Sequence, residues 1–158
     1  MMVPLVVVMV GKTRANFIQE GMAFYAKRLR LYHPLDLITV REEKPSGGMS
    51  PAQILTREGA RILAHLPKTG RIITLEPTGR EVTSEGLAQW LEHLSQTAAS
   101  LLVFIIGGHL GLAPEVSQAA HDRLSLSRLT FTHEMTRLIL LEQLYRAATI
   151  RAGHPYHL

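Results

Sequence analysis

The sequence predicts an α/β fold, a mostly parallel sheet flanked by helices. Residues 3–10 and 101–106 are apolar at nearly every position instead of alternately so, the pattern of strands covered on both faces. Between the strand-like runs lie stretches whose apolar residues recur at helical spacing, and this βαβα rhythm makes the helices crossovers. A chain of 158 residues, 46% hydrophobic and 19% charged, suits a single domain over residues 1–158 with one core.

Residues 3–10 form a buried, central strand closed by Gly11. From residue 14 to 31 the positions Phe17, Ile18, Met22, Tyr25, Ala26 and Leu29 trace a helix that Pro34 stops. Residues 35–41 alternate apolar and polar as a second strand, and the turn-rich stretch 44–50 is a mobile loop. Ser50-Pro51 opens the next helix with a side-chain cap and a first-turn proline, and Ile54, Leu55, Ala60, Ile62 and Leu63 follow. A third strand, 71–75, breaks at the turn Glu76-Pro77-Thr78-Gly79. Thr83 or Ser84 caps a helix over 85–96 that carries Leu87, Trp90, Leu91 and Leu94 on one face. The fourth strand, 101–106, runs straight into the glycine loop 107–111, and Ala113-Pro114-Glu115 starts a helix behind it. Residues 123–131 alternate at period two, as a strand or extended loop. The last helix, 134–151, is apolar all round, so it must be covered all round. A second subunit packed partly on it, in a homodimer, would supply cover that a domain this small lacks, and ordinary core packing is the other solution.

Composition narrows the chemistry. Seventeen Lys and Arg against thirteen Asp and Glu give a net charge of +4, which attracts polyanions without requiring one. The absence of cysteine excludes disulfides, thiolate nucleophiles and Cys-based zinc sites. The run 3–10 has no basic start and ends far short of a membrane span, so a cytoplasmic protein with no membrane partner is expected.

Three places in the C-terminal third can carry chemistry. The loop Gly107-Gly108-His109-Leu110-Gly111 sits between strand and helix, where backbone N–H groups can meet a ligand. It lacks the Gly-Lys-Ser/Thr of a Walker loop and the GxGxxG of a dinucleotide fold, and a tight turn needing positive φ is the plain alternative. The extended stretch with Ser127 and Arg128 can offer backbone groups to a ligand, or form an edge strand. His133, His154 and His157 crowd the end of the chain with Tyr156, a set that fits base chemistry or contact with a nucleobase better than metal, because no HExxH is present. Glu142 and Arg146, four apart, form an ion pair, whereas Arg137 lacks a local acid and is free to face an anion.

These residues resemble a known family. Phe104-Ile105-Ile106-Gly107-Gly108, Leu126-Ser127 with Thr130-Phe131-Thr132-His133-Glu134-Met135, Leu141-Glu142-Gln143-Leu144-Tyr145-Arg146-Ala147 and the ending His154-Pro155-Tyr156-His157 are similar to the RlmH family of bacterial SPOUT methyltransferases. Nearly the whole chain takes part, including Thr74-Leu75-Glu76 and residues 84–88. The resemblance implies a SPOUT-type sheet whose C-terminal segment is threaded as a trefoil knot, an exception to the rule against knots. It implies methylation of N3 of a pseudouridine in large-subunit (23S) ribosomal RNA, with the assembled ribosome as substrate. S-adenosylmethionine would be the cofactor, held by Leu75, Gly107, Gly108, Gly111, Leu126, Ser127, Arg128, Leu129, Thr130 and Phe131, with no metal. Here the loop centre is His109-Leu110 where relatives often carry small or acidic residues, and Thr132 stands in place of a common proline.

Methyl transfer from a sulfonium to a ring nitrogen is mainly a matter of alignment, helped by a group that favours the imide anion. His133, Arg137 and His154 are the candidates for that help, with Tyr156 stacking on or bonding to the base. Two other functions remain open: an RNA-binding module that has kept the fold without the reaction, and an α/β enzyme using the glycine loop on a nucleotide phosphate.

Overall fold

The computed structural model describes residues 2–97 and 100–158. Five strands, β1 (Leu5–Val10), β2 (Leu35–Val40), β3 (Arg71–Glu81), β4 (Leu102–Ile106) and β5 (Asp122–Ser125), form one sheet in the order β2-β1-β4-β3-β5. Every pairing is parallel. The helices are α1 (Asn16–Leu29), α2 (Pro51–Ala64), α3 (Ser84–Thr97), α4 (Pro114–Ala119) and α5 (His133–Arg151), and a 3₁₀ turn, Pro155–His157, ends the chain.

Continuous hydrophobicity in β1 and β4 reflects cover on both faces. Leu5, Val7 and Met9 of β1 and Leu102, Phe104 and Ile106 of β4 pack under α1, α3 and α5. Their neighbours Val6, Val8, Val10, Val103 and Ile105 face the other way, onto Ile62 of α2 and Val116 of α4. Each such burial contributes about 1.5–3 kcal/mol. The Ser50 hydroxyl accepts from Gln53 N at 3.2 Å while the Gln53 side chain accepts from Ser50 N at 2.9 Å, a reciprocal cap on α2 worth roughly 1 kcal/mol. At α3 the cap is Thr83, whose Oγ1 accepts from Gly86 N at 2.9 Å.

One expectation is corrected. Glu76-Pro77-Thr78-Gly79 does not end its strand: β3 runs on to Glu81, because β5 pairs on both sides of the irregularity, Leu124 facing Leu75 and then Arg80. The four residues bulge out between those two pairings. At Gly79 a Cβ would lie 2.7–2.8 Å from the Arg123 and Leu124 backbone, so only glycine allows this approach. The alternating stretch 123–131 is strand only as far as Ser125, and residues 126–132 then leave the sheet edge for the start of α5.

Much of the cover that α5 requires comes from its own chain. Arg137, Leu140, Leu141, Leu144, Ala147, Ala148 and Thr149 are buried against α1, α3 and the sheet. Gly21 of α1 sits against Leu138, which brings the two helices close.

Candidate functional site

Parallel α/β sheets bind ligands outside the carboxyl ends of their strands, where loops converge and backbone groups are unspent. Here a cleft of about 640 Å³ lies beyond β3, β4 and β5. One wall is Leu75 with Glu76, Pro77 and Thr78; a second is Gly107, Gly108, His109, Gly111 and Leu112; the third is Leu126, Ser127, Leu129, Thr130 and Phe131. The first turn of α5 closes it with His133 and Thr136.

The glycine loop is built for close approach. A Cβ on Gly107 would lie 2.3 Å from the Gly111 carbonyl oxygen, and Gly111 itself takes φ +86°. Gly111 N donates to Gly108 O at 3.0 Å, closing a narrow corner. The turn reading and the ligand reading of this loop are thus compatible, since the tight turn is what bares its backbone to the cleft. Opposite, the Glu76 carboxylate accepts from Thr74 Oγ1 at 2.5 Å and Ser117 Oγ at 3.0 Å, and the Arg123 guanidinium is 3.5 Å away. Those bonds anchor the bulge of β3 as a wall.

His133 stands at the N-terminus of α5, where Thr132 Oγ1 caps the helix by accepting from Met135 N at 3.2 Å. Thr132 therefore starts this helix with a side-chain hydroxyl cap. Burial pushes the His133 imidazole below its ordinary pKa of 6.5, and the neighbouring Arg137 cation pushes it further. At neutral pH the ring is uncharged and has a nitrogen lone pair to offer.

Arg137 does not face an anion. Its side chain is 1% exposed, and its guanidinium donates to the Val10 carbonyl at 2.6 Å and to Thr13 Oγ1 at 2.7 Å. It ties α5 to the corner after β1, because a buried arginine without a carboxylate must spend its N–H groups on oxygens within reach. Three residues earlier, Glu134 Oε1 accepts from the N–H groups of Arg14 and Ala15, each at 3.0 Å, and fastens the same turn to the start of α1. Arg128 also lies outside the cleft; it is exposed and pairs with Glu81 at 3.1 Å.

His154 and Tyr156 fold away from His133 within one chain. The nineteen residues of α5 span roughly 28 Å, and the tail sits at the far end. There His154 Nδ1 is 2.5 Å from the Tyr32 hydroxyl, and the Tyr156 hydroxyl donates to Glu142 at 3.1 Å. Glu142 also holds Arg146, the ion pair that their spacing predicts. Burial, and after it hydrogen bonding with Tyr25 and Glu142, raises the Tyr156 phenol well above its ordinary value, so it stays protonated and donates.

Glu76, His109, Leu112, Thr132 and Thr136 line the cleft without having been assigned to a binding site from sequence. For Glu76 a signal existed, since a proline-glycine turn at the carboxyl end of a parallel strand is where ligands meet α/β sheets. Among the described residues no helix is long and apolar enough to cross a membrane, and no group of three or more His, Asp or Glu side chains could hold a metal ion.

Several known proteins share this architecture and sequence. A probable methyltransferase from Bordetella pertussis superposes with a TM-score of 0.56 at 12% identity, covering 92% of this chain and 96% of that one. The SpoU methyltransferase AviRb from Streptomyces viridochromogenes, solved in complex with the cofactor AdoMet, matches with a TM-score of 0.51 at 14% identity over 98% of this chain and 60% of its own. At such identities the likeness is one of fold. In sequence, the chain is 44% identical over 151 residues to the ribosomal RNA large subunit methyltransferase H of Halothermothrix orenii, covering 94% of this chain and 95% of that protein. It is 42% identical over 156 residues to a putative ribosomal RNA large subunit methyltransferase H of Methanococcus maripaludis, covering 97% and 98%. Residues 3–157 match the family described as SPOUT methyltransferase, and with this fold and these relatives the chain belongs to the SPOUT methyltransferases, in the RlmH group.

Proposed function

We propose that this chain transfers a methyl group from S-adenosylmethionine to N3 of a pseudouridine in large-subunit (23S) ribosomal RNA, in the assembled ribosome, as a single-domain cytoplasmic homodimer. One observation carries the reading. Of the ten residues that the family resemblance marks for the cofactor, every one except Arg128 lines the same cleft.

The character of that cleft supports this cofactor over a nucleotide phosphate. Its walls include Leu75, Leu112, Leu126 and Leu129, and among the described residues no lysine or arginine lines it. A phosphate ligand would want such a cation, whereas a ligand carrying a sulfonium and an ammonium would not. Its volume lies within the roughly 300–1,000 Å³ usual for small-molecule sites. Once bound, S-adenosylmethionine supplies the electrophilic methyl group.

The chain's own residues would then align, hold and deprotonate. His133, neutral and on the cleft wall, accepts the N3 proton as the N3–CH₃ bond forms and the S–CH₃ bond breaks, leaving S-adenosylhomocysteine, methylated RNA and a protonated imidazole. Arg137 and Glu134 act through His133, fixing the turn that carries it.

His154 and Tyr156 lie a helix length from His133, so in one chain they cannot share its site. A twofold dimer in which the α5 helices run antiparallel would bring the tail of each subunit to the His133 end of the other. The exposed Phe17 and Phe24 on α1 and Met135 on α5 offer the apolar surface for that contact. The proposed knot is supported by the path of residues 126–132, which cross from edge strand β5 to α5 while sharing a cleft with the Glu76–Thr78 bulge and the glycine loop.

Mass spectrometry of 23S rRNA from a strain lacking this gene should show one pseudouridine without its methyl group, restored by the purified protein and S-adenosylmethionine. An unchanged digest would overturn the reading. His133→Asn should lower kcat at least about a hundredfold with cofactor affinity within a few-fold. The wild-type kcat/KM should be flat at pH 7 and fall only below pH 6.5, because the folded pKa is depressed and protonation begins below the ordinary value. The same sign applies to stability: folding loses free energy as pH drops below 6.5 towards the folded pKa, and His133→Asn should flatten that part of the melting-temperature profile.

A further inference from the structure

A second and larger cleft, of about 1150 Å³, lies at the same carboxyl end of the sheet, beyond β1 and β2. Its character is opposite to the first. Lys12, Arg14, Arg41 and Lys44 line it, against the carboxylates of Glu42 and Glu43. Both acids are already engaged, Glu42 by Arg14 and Glu43 by Arg57 and Arg61 from α2. Those arginines hold Glu43 below the usual carboxylate range. Among the described residues Lys12, Arg41 and Lys44 have no ion pair, so an exposed cationic surplus faces the opening.

The two clefts adjoin. Arg137 bonds to Thr13, which lines the cationic cleft, while His133 and Thr136, on the same turn of α5, line the other. Gly108 stands at the partition: its missing side chain would touch Val10 at 3.4 Å. A nucleophile must come within about 3–3.5 Å of the methyl group it attacks, so the target base enters beside His133 and its strand must continue over a neighbouring surface. The cationic cleft is such a surface, and it exceeds the roughly 300–1,000 Å³ of a small-molecule pocket. Among the described residues no aromatic side chain lines it for stacking, which leaves phosphates as the groups it can hold.

We infer that Lys12, Arg41 and Lys44 bind the phosphates of the RNA strand next to the methylated nucleotide, positioning it without reading its sequence. This rests on the RNA methyltransferase reading above. The test is the triple variant Lys12→Ala/Arg41→Ala/Lys44→Ala, beside the control Lys27→Ala/Lys68→Ala, which removes cations outside both clefts. Undermethylated ribosomes from the deletion strain are the substrate. The triple variant should show a KM for ribosomes raised roughly tenfold or more, and a plot of log affinity against log salt shallower by about 2, since each single-strand phosphate contact contributes about 0.7 to that slope. Its S-adenosylmethionine affinity should stay within twofold, and the control should behave as the wild type. Inorganic phosphate should compete no better than chloride at matched ionic strength; specific competition would make the cleft a small-anion site and overturn the assignment. So would an unchanged KM and slope, or a triple variant that becomes monomeric while RNA affinity holds, which would mark a subunit contact. If the wild type itself leaves the ribosomes unmethylated, the function falls and takes this inference with it; a defect confined to the triple variant distinguishes the two.

Discussion

Removing residues 153–158 should abolish methyl transfer while S-adenosylmethionine affinity stays within a few-fold. The expectation follows from where the groups sit. His133 is on the cleft, and the tail with His154 and Tyr156 is packed at the other end of α5 against Tyr32, Glu142 and Tyr145. Nothing in the tail lines the proposed cofactor cleft of its own chain, so loss of the tail should spare cofactor binding there. In an antiparallel dimer it would remove the partner's contribution to base placement, which is a transition-state contribution of the kind that shows in kcat. Calorimetry for the cofactor and a methylation assay measure the two effects. Mixing distinguishes the shared site from a local one: inactive truncated subunits and inactive His133→Asn subunits should regain activity together, because one site of the heterodimer has both intact. Full activity in the truncated protein, or no recovery on mixing, sinks the shared site.

Gly107→Ala should lower cofactor affinity by at least about a hundredfold, some 2.7 kcal/mol. The added methyl group would stand 2.3 Å from Gly111 O and 2.6 Å from Gly111 C, and neither is the end of a flexible side chain. The corner must open, which moves the wall that would face the cofactor and costs about 1–3 kcal/mol of stability as overpacking does. Gly108→Ala is the natural comparison. There the nearest atom is Val10 Cγ1 at 3.4 Å, an ordinary contact, so the melting temperature should stay near that of the wild type. Equal cofactor affinity in the Gly107 variant and the wild type would show that this corner does not hold the ligand.

How much of the site could be read in the chain depended on which interactions define each residue. The strands β1 and β4 were legible because burial on both faces leaves a run that is apolar throughout, and the cap Ser50-Pro51 because a helix start is local chemistry. The loop at Gly107 was legible for the same local reason. Arg137 was misread as free to meet an anion because its partners, Val10 and Thr13, are more than 120 residues away and one is a backbone carbonyl, which leaves no trace in side-chain spacing. Arg128 looked like part of the cofactor segment and turned outward to Glu81, 47 residues earlier.

The amino-acid sequence by itself determined the alternation of strands and helices, the cap at Ser50, the glycine corner and, through resemblance, the family. Periodicity and local hydrogen bonding act over a few residues, so they are written where they act. The tertiary structure alone decided that β3 passes its proline-glycine bulge and continues, that His133 enters the cleft while Arg137 braces it from below, and that His154 and Tyr156 stand a helix length away. Those outcomes depend on which distant segment supplies the partner for a buried polar group or an unpaired strand edge, and only the folded chain brings such partners together.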